Sequence, residues 1–308
     1  MRAIWYEAYG PPSVLRWGEQ ALPEPGNGQV RVRLQASALA QLDVKLRAGL
    51  LQAHFALTLP KIPGRDGVGV IDAVGDGVAN WRLGDEVCVL AAPLGAGTAA
   101  SHVVTEAARV VARPQGLSLE QSAALLQPGA SAWAAVTTAQ LQPGMRVLVH
   151  GGSGAVGALV LQHARGLGVR TVATCRHDHR DHTLAQGADE VIAYDRGSFG
   201  HLRGLDVVFD FVGGDTHARS YPLLRPGGAI VYLVAAPFED RGAEHGVRVL
   251  RALVTDAPGV LRGIAHVARE GFYRPLVSRC LPLREAALGH TLLEAGQVRL
   301  GRVVFAHG

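Results

Sequence analysis

The stretch MRVLVHGGSGAVGALVLQHARGLG, residues 145–168, constrains this chain more than any other. An apolar run leads into a glycine-dense turn, and beyond it apolar residues recur at short helical spacing, so strand, turn and helix follow one another directly. Gly152, Gly154 and Gly157 stand in G-x-G-x-x-G spacing. With 39 glycines in 308 residues, chance alone supplies about 0.6 such triplets, so the setting gives the motif its meaning. In a strand-turn-helix unit, Gly152 allows the tight turn, Gly154 the close approach of a pyrophosphate and Gly157 the contact of helix on strand. Ser153, Ala155 and Val156 complete the turn and bring backbone amides to the helix start, where negative phosphates are favoured. The stretch reads as a dinucleotide cradle.

Dinucleotide folds that take NAD carry an acid at the end of the second strand, about 20 residues beyond the glycines, to hold the ribose 2′-hydroxyl. Here that strand is VRTVATC, and it ends on Cys175 followed by Arg176, His177 and, one turn on, Arg180. An acid would repel a 2′-phosphate and arginine would welcome it, so the pattern favours NADPH. His177, His179 and His182 lie close together, but no two are four apart, and they read as a solvated helix start.

Short alternating runs with turn signals fill residues 1–116, whereas strand-like and helical runs alternate through 117–271. From 272 to 308 the first texture returns. The expected fold class is α/β: a Rossmann doubly wound parallel sheet over 117–271, and a β-rich domain built from 1–116 and 272–308. No run of 18 apolar residues appears and the N-terminus lacks an export profile, so a cytoplasmic chain with no membrane association is expected. Lysine occurs only at 45 and 61, the net charge is +4, and aromatics are 6% and scattered, which argues against nucleic acid. Cys88, Cys175 and Cys280 are too far apart for a four-thiolate zinc site.

Four blocks add to this: GRDGVGVIDAVGDGVANWRLGDEV, LLQPGASAWAAV before the glycine turn, GADEVIAY, and the ending AALGHTLLEAGQVRLGRVVF. In order and spacing they resemble the zinc-free branch of the medium-chain dehydrogenase/reductase superfamily, the quinone oxidoreductases that include zeta-crystallin. The resemblance covers essentially the whole chain. It implies a GroES-like domain split around the Rossmann domain, a cofactor in the cleft between them, and a homodimer. It also implies that Ser131 holds the nicotinamide end, that Tyr194 helps with the adenosine phosphate, and that the backbone at Phe211, Val212, Leu233 and Val234 lines the nicotinamide pocket.

Zinc alcohol dehydrogenases of the same superfamily place ligands and relay residues where this chain has Ala40, Arg65 and Lys45, so no metal is expected. A guanidinium cannot bind a cation. The chain also departs from quinone oxidoreductases: Ala40 and Leu51 stand where an Asn and a Tyr would meet substrate. The expected activity is NADPH-dependent reduction of quinones or α,β-unsaturated carbonyls, small molecules whose negative charge delocalises on hydride arrival. An enoyl-thioester reductase and a non-catalytic NADPH-binding crystallin-like protein are the alternatives. Arg65 and Lys45 are candidates for positive potential at the acceptor, with Asp43 orienting Arg65, the alternative being a structural Asp43–Arg65 ion pair with Lys45 in solvent; Asp66 reads as a loop cap in preference to an acid supporting the site. His54, Phe55 and Trp133 are candidate borders of the substrate opening.

Overall fold

A computed structural model describes residues 1–233 and 238–308. By contact the chain divides into two units, Met1–Gln127 with Asp256–Gly271 and Pro275–Gly308, and Pro128–Thr255 with Phe272–Arg274. The boundaries drawn from the sequence at 116/117 and 271/272 differ. Texture changes where secondary structure changes, whereas a unit ends where packing ends, and the helix after residue 257 packs with the first unit.

The first unit opens with β1 (Arg2–Trp5) and β2 (Arg16–Glu19), an antiparallel pair, then β3 (Gln29–Ala38), α1 (Gln41–Arg47), β4 (Asp66–Val74), β5 (Glu86–Leu90), β6 (His102–Glu106) and β7 (Val110–Ala112). β3 shows why such a segment is a strand. Val30, Val32, Leu34 and Ala36 alternate inward and are almost wholly buried, while Arg31 points outward and pairs with Asp72 at 2.9 Å. With Ile71, Val87, Val89, Val103 and Val110, the side chains of Val30, Val32 and Leu34 form one core. α2 (Leu119–Ala123) starts at Ser118, whose hydroxyl accepts from the Gln121 amide while the Gln121 side chain accepts from the Ser118 amide.

The chain enters the second unit through α3 (Leu126–Ala139). There follow β8 (Arg146–His150), α4 (Ala155–Gly166), β9 (Arg170–Cys175), α5 (Arg180–Ala185), β10 (Glu190–Ala193), β11 (Leu205–Asp210), α6 (Asp215–Ala218), β12 (Leu224–Tyr232), α7 (Gly242–His245) and β13 (Arg248–Arg251). The strands form one parallel sheet in the order β10-β9-β8-β11-β12-β13. Successive strands step outward to one side of β8 and then to the other, so the order reverses between β8 and β11, the place where such sheets bind ligands beyond their carboxyl ends. Runs such as Val147–Val149 and Val207–Phe209 are buried without alternation, as in a sheet covered on both faces.

Back in the first unit, α8 (Pro258–Arg269), β14 (Val277–Pro282), α9 (Ala286–Glu294) and β15 (Arg302–Ala306) complete the chain. β15 lies antiparallel to β3 and parallel to β14, in a sheet ordered β14-β15-β3-β4-β5-β7 with β6 also on β3. The fold is α/β, with a parallel doubly wound sheet in the second unit and a mixed, mostly antiparallel sheet in the first. Among the described residues, no helix is long and apolar enough to cross a membrane.

Candidate active site

β8 ends on His150 and the chain reverses at Gly151, whose φ of +75° favours glycine. A Cβ on Gly152 would stand 2.8 Å from the Ala173 Cβ of β9. On Gly157 it would stand 2.3 Å from the Gly151 carbonyl oxygen, and on Gly154 it would meet only that oxygen, at 3.3 Å. The glycine roles therefore differ from the sequence expectation. Gly151 makes the left-handed turn, Gly152 lets the turn lie against β9, and Gly157 lets α4 lie against the turn. Gly154 is the N-cap of α4 and makes no side-chain cap among the described residues, so the helix start at Ala155, Val156 and Gly157 is uncapped. A glycine-rich turn beside an uncapped helix start fits a pyrophosphate. Ser153 is buried, and its Oγ lies 3.4 Å from His179 Nδ1, a neighbour that sequence spacing did not assign to the turn.

At the end of β9, Cys175 is buried, which pushes its thiol up, and Sγ donates to the Arg176 carbonyl. Arg176 follows in extended backbone, and its Nε is buried with no hydrogen-bond partner among the described residues. Arg180 donates to the Val191 carbonyl at 3.0 Å. His177 is exposed, and its amide donates to Asp195 Oδ1 at 2.8 Å. Asp195 was missed by a search confined to β9, because it arrives from the end of the neighbouring strand β10. Desolvation pushes its carboxyl up, but the His177 amide, its own amide, Arg176 and Arg196 outweigh that and hold it low. Tyr194 is 52% exposed, with its amide on the Cys175 carbonyl.

On the other side of β8, Phe211 and Val212 follow β11 and Leu233 follows β12, while Val234 lies outside the described residues. Val212 is half exposed, and its amide, like that of Gly213, donates to Asp210 Oδ1. Ser131 sits part-exposed on α3. Trp133, also on α3, packs edge-on against His163, itself in contact with Tyr273, which is the environment of a packing residue.

In the first unit the expected Asp43–Arg65 pair is not formed. Asp43 caps α1, its Oδ2 accepting from the Ala40 amide at 2.9 Å, because it stands at the third position of that helix. Burial pushes its carboxyl up. Arg65 instead donates to the Ala91 carbonyl at 2.9 Å and to Asp256 at 3.1 Å, and Arg109 shares Asp256 at 2.7 Å. Desolvation works against the ionised Asp256, but Arg109 and Arg65 hold it low, and Arg109 also lies 3.7 Å from Glu106, so two guanidiniums face two carboxylates. Lys45 is exposed on α1, whereas Lys61 is buried, its Nζ donating to the Gly95 carbonyl, and desolvation lowers its pKa.

Asp66 is not a loop cap. It opens β4 fully buried, accepts from the Gln127 amide at 2.9 Å and pairs with Arg302 of β15. Arg302 also donates to the Ala38 and Leu39 carbonyls. Among the described residues, no three His, Cys, Asp or Glu side chains are grouped to hold a metal. A cavity of about 820 Å³ between Trp81, Arg113 and Arg262 is lined by none of Asp43, Lys45, Arg65 or the glycine turn, so its size does not mark the chemistry.

A family model described as alcohol dehydrogenase GroES-like domain matches residues 26–115, and one described as zinc-binding dehydrogenase matches 186–305. A quinone oxidoreductase of Pseudomonas aeruginosa is 30% identical over 96% of this chain and 96% of its own. A 2-haloacrylate reductase of Burkholderia sp is 28% identical over 99% of this chain and 98% of its own. A solved NAD-dependent alcohol dehydrogenase superposes with a TM-score of 0.92 at 31% identity, covering 100% of both chains. The chain belongs to the quinone oxidoreductase-like group of the medium-chain dehydrogenase/reductase family, oxidoreductases that use a nicotinamide cofactor.

Proposed function

We propose that the chain is an NADPH-dependent, zinc-independent reductase that transfers hydride to quinones or α,β-unsaturated carbonyls. The observation that carries this reading is the turn with glycine at 151, 152, 154 and 157, together with Arg176 directly after β9, whose buried Nε has no partner among the described residues. The amides of Ala155, Val156 and Gly157 would hold the pyrophosphate, and Arg176, with Arg180 and His177 beside it, would meet the 2′-phosphate. Asp195 pulls the other way, and the relative described as NAD-dependent keeps NADH as the alternative. When bound, the reduced nicotinamide supplies the hydride. Ser131, Tyr194 and the chain at Phe211, Val212 and Leu233 would orient it.

Relatives named for quinone and 2-haloacrylate share a conjugated acceptor, which spreads the incoming charge and needs no metal to do so. Lys45, exposed on α1, would favour that charge further, whereas Arg65 and Arg109 are offset by Asp256 and Glu106 and would contribute less. Asp43 acts at one remove, by capping the helix that carries Lys45. Zinc chemistry is disfavoured by the donor set itself, since Arg65 is a cation already matched by Asp256. A homodimer fits the sheet edge at β13, beyond which Leu253 and Val254 are 72% and 51% exposed.

The test is titration of NADPH and NADH, then a panel of quinones, enones and enoyl thioesters, with Lys45→Met and Arg65→Met alongside. Tighter NADH binding overturns the cofactor reading, preference for thioesters overturns the substrate class, and stoichiometric zinc in the purified protein overturns the metal-free reading. Unchanged turnover in both variants removes Lys45 and Arg65 from the chemistry.

A further inference from the structure

A chain of buried polar groups lies at the carboxyl edge of the parallel sheet, where an apolar core would do for stability alone. Asp210 ends β11 with 1% exposure. Its Oδ1 accepts the Val212 and Gly213 amides at 3.0 and 2.8 Å, and its Oδ2 faces His217 Nδ1 at 2.8 Å. A carboxylate only accepts, so Nδ1 of His217 carries the proton. Burial pushes Asp210 up, but His217 and the two amides outweigh it and hold the group ionised.

His217, also 1% exposed, continues the chain through Nε2 to the Tyr221 hydroxyl at 3.2 Å. That hydroxyl accepts from the Arg241 amide at 3.1 Å and has one proton to give, shared between Nε2 of the neutral imidazole and the Glu239 carbonyl, also at 3.2 Å. The imidazole also stacks on Phe238 with centroids 4.0 Å apart and meets Tyr232 edge-on at 6.0 Å. One ring therefore touches the end of β11 through Asp210, the end of β12 through Tyr232, and the chain at 238–241. These are the strand ends on the β11 side of the point where the sheet order reverses.

We propose that His217 is a positioning residue: through Asp210 and Tyr221 it holds the carboxyl ends of β11 and β12 in the arrangement that receives the nicotinamide half of the cofactor. This rests on the nicotinamide-dependent reading above. Burying an ionised carboxylate costs several kcal/mol that pairing only offsets, and the same space could be filled by apolar side chains. The polar chain is accounted for by what it holds, since Asp210 shapes the turn at Phe211–Gly213 with Oδ1 and is fixed to His217 by Oδ2.

The experiment compares wild type with Tyr221→Phe, which keeps the ring and removes the hydroxyl, and His217→Asn, which keeps a donor for Asp210 and loses the stack. Affinity is measured for the dinucleotide that wild type binds tighter and for the matching ADP-ribose, which lacks nicotinamide. Single-turnover hydride transfer is measured at saturating cofactor. The expected result is a loss of about tenfold in dinucleotide affinity or in hydride-transfer rate, with ADP-ribose affinity within about twofold of wild type. A purely structural role would weaken both ligands together. Equal losses, or no loss in either variant, overturn the proposal, and Tyr221→Phe decides alone if His217→Asn does not fold. Wild type that binds no dinucleotide overturns the cofactor reading instead.

Discussion

Acid should loosen the second unit well before its carboxylates titrate, and His150 sets the scale. Its Nδ1 lies 3.0 Å from Thr174 Oγ1, its Nε2 lies 3.1 Å from Ser220 Oγ, and its ring meets Phe199 edge-on. Burial, with Arg219 and His217 nearby and only Asp210 opposing, lowers its pKa from 6.5 to about 4. The unfolded chain therefore binds a proton between those values that the folded unit refuses, and stability falls as pH drops through 6.5 and goes on falling to about 4. From pH 8 to pH 5 the linkage amounts to about 2 kcal/mol for this residue alone, a large share of a domain's net stability. His163 and His182, both lowered by burial, add in the same direction. The shifted carboxylates of this unit, Asp195, Asp206 and Asp210, are held low, so the stability they add is present above their unfolded range near 4 and is lost only as pH falls through it. Hydrogen exchange of β8, β9 and β11 amides, converted to opening free energies at pH 8 and 5, should show a loss of 2 kcal/mol or more, flattened by about that amount in His150→Asn. Opening energies that stay level between the two pH values would refute the reasoning. The first unit responds less simply, because His290, lowered to about 3, works against Asp43 and Asp66, which burial raises and whose protonation on acidification favours the folded state.

Replacing Arg302 by Met should cost about 3–5 kcal/mol in urea unfolding of the first unit, because it leaves Asp66 buried without its cation; Asp66→Asn in the same background should recover part of it. Gly157→Ala should abolish measurable dinucleotide binding in a fluorescence titration, since the added Cβ would meet the Gly151 oxygen at 2.3 Å and push α4 off the turn. Arg176→Gln should lower NADPH affinity about tenfold or more and leave NADH affinity within about twofold, giving a changed ratio in isothermal titration.

Several parts of this protein were legible in its residues. The glycine turn is local: backbone φ, helix start and missing Cβ atoms are all decided within a dozen positions, so the motif was legible once the strand before it and the helix after it were read with it. The alternation of buried strands and helices fixed the parallel sheet for the same reason, and the alternating burial of β3 marked a sheet with one wet face. Even there, the division of labour among Gly151, Gly152 and Gly157 needed coordinates, because it depends on which backbone atom each absent side chain would strike.

The pairings were decided by tertiary structure. Asp43 beside Arg65 was a reasonable expectation from a short stretch, yet Arg65 meets Asp256 and Asp66 meets Arg302, partners 191 and 236 residues away. Asp195 meets the chain beyond β9 from the end of the neighbouring strand, and His217 joins two strand ends from a four-residue helix. A sequence records what each residue prefers within a few turns of chain. A buried charge takes its partner from whatever the folded sheet brings within hydrogen-bond reach, and that distance is set by strand order and register, not by separation along the chain.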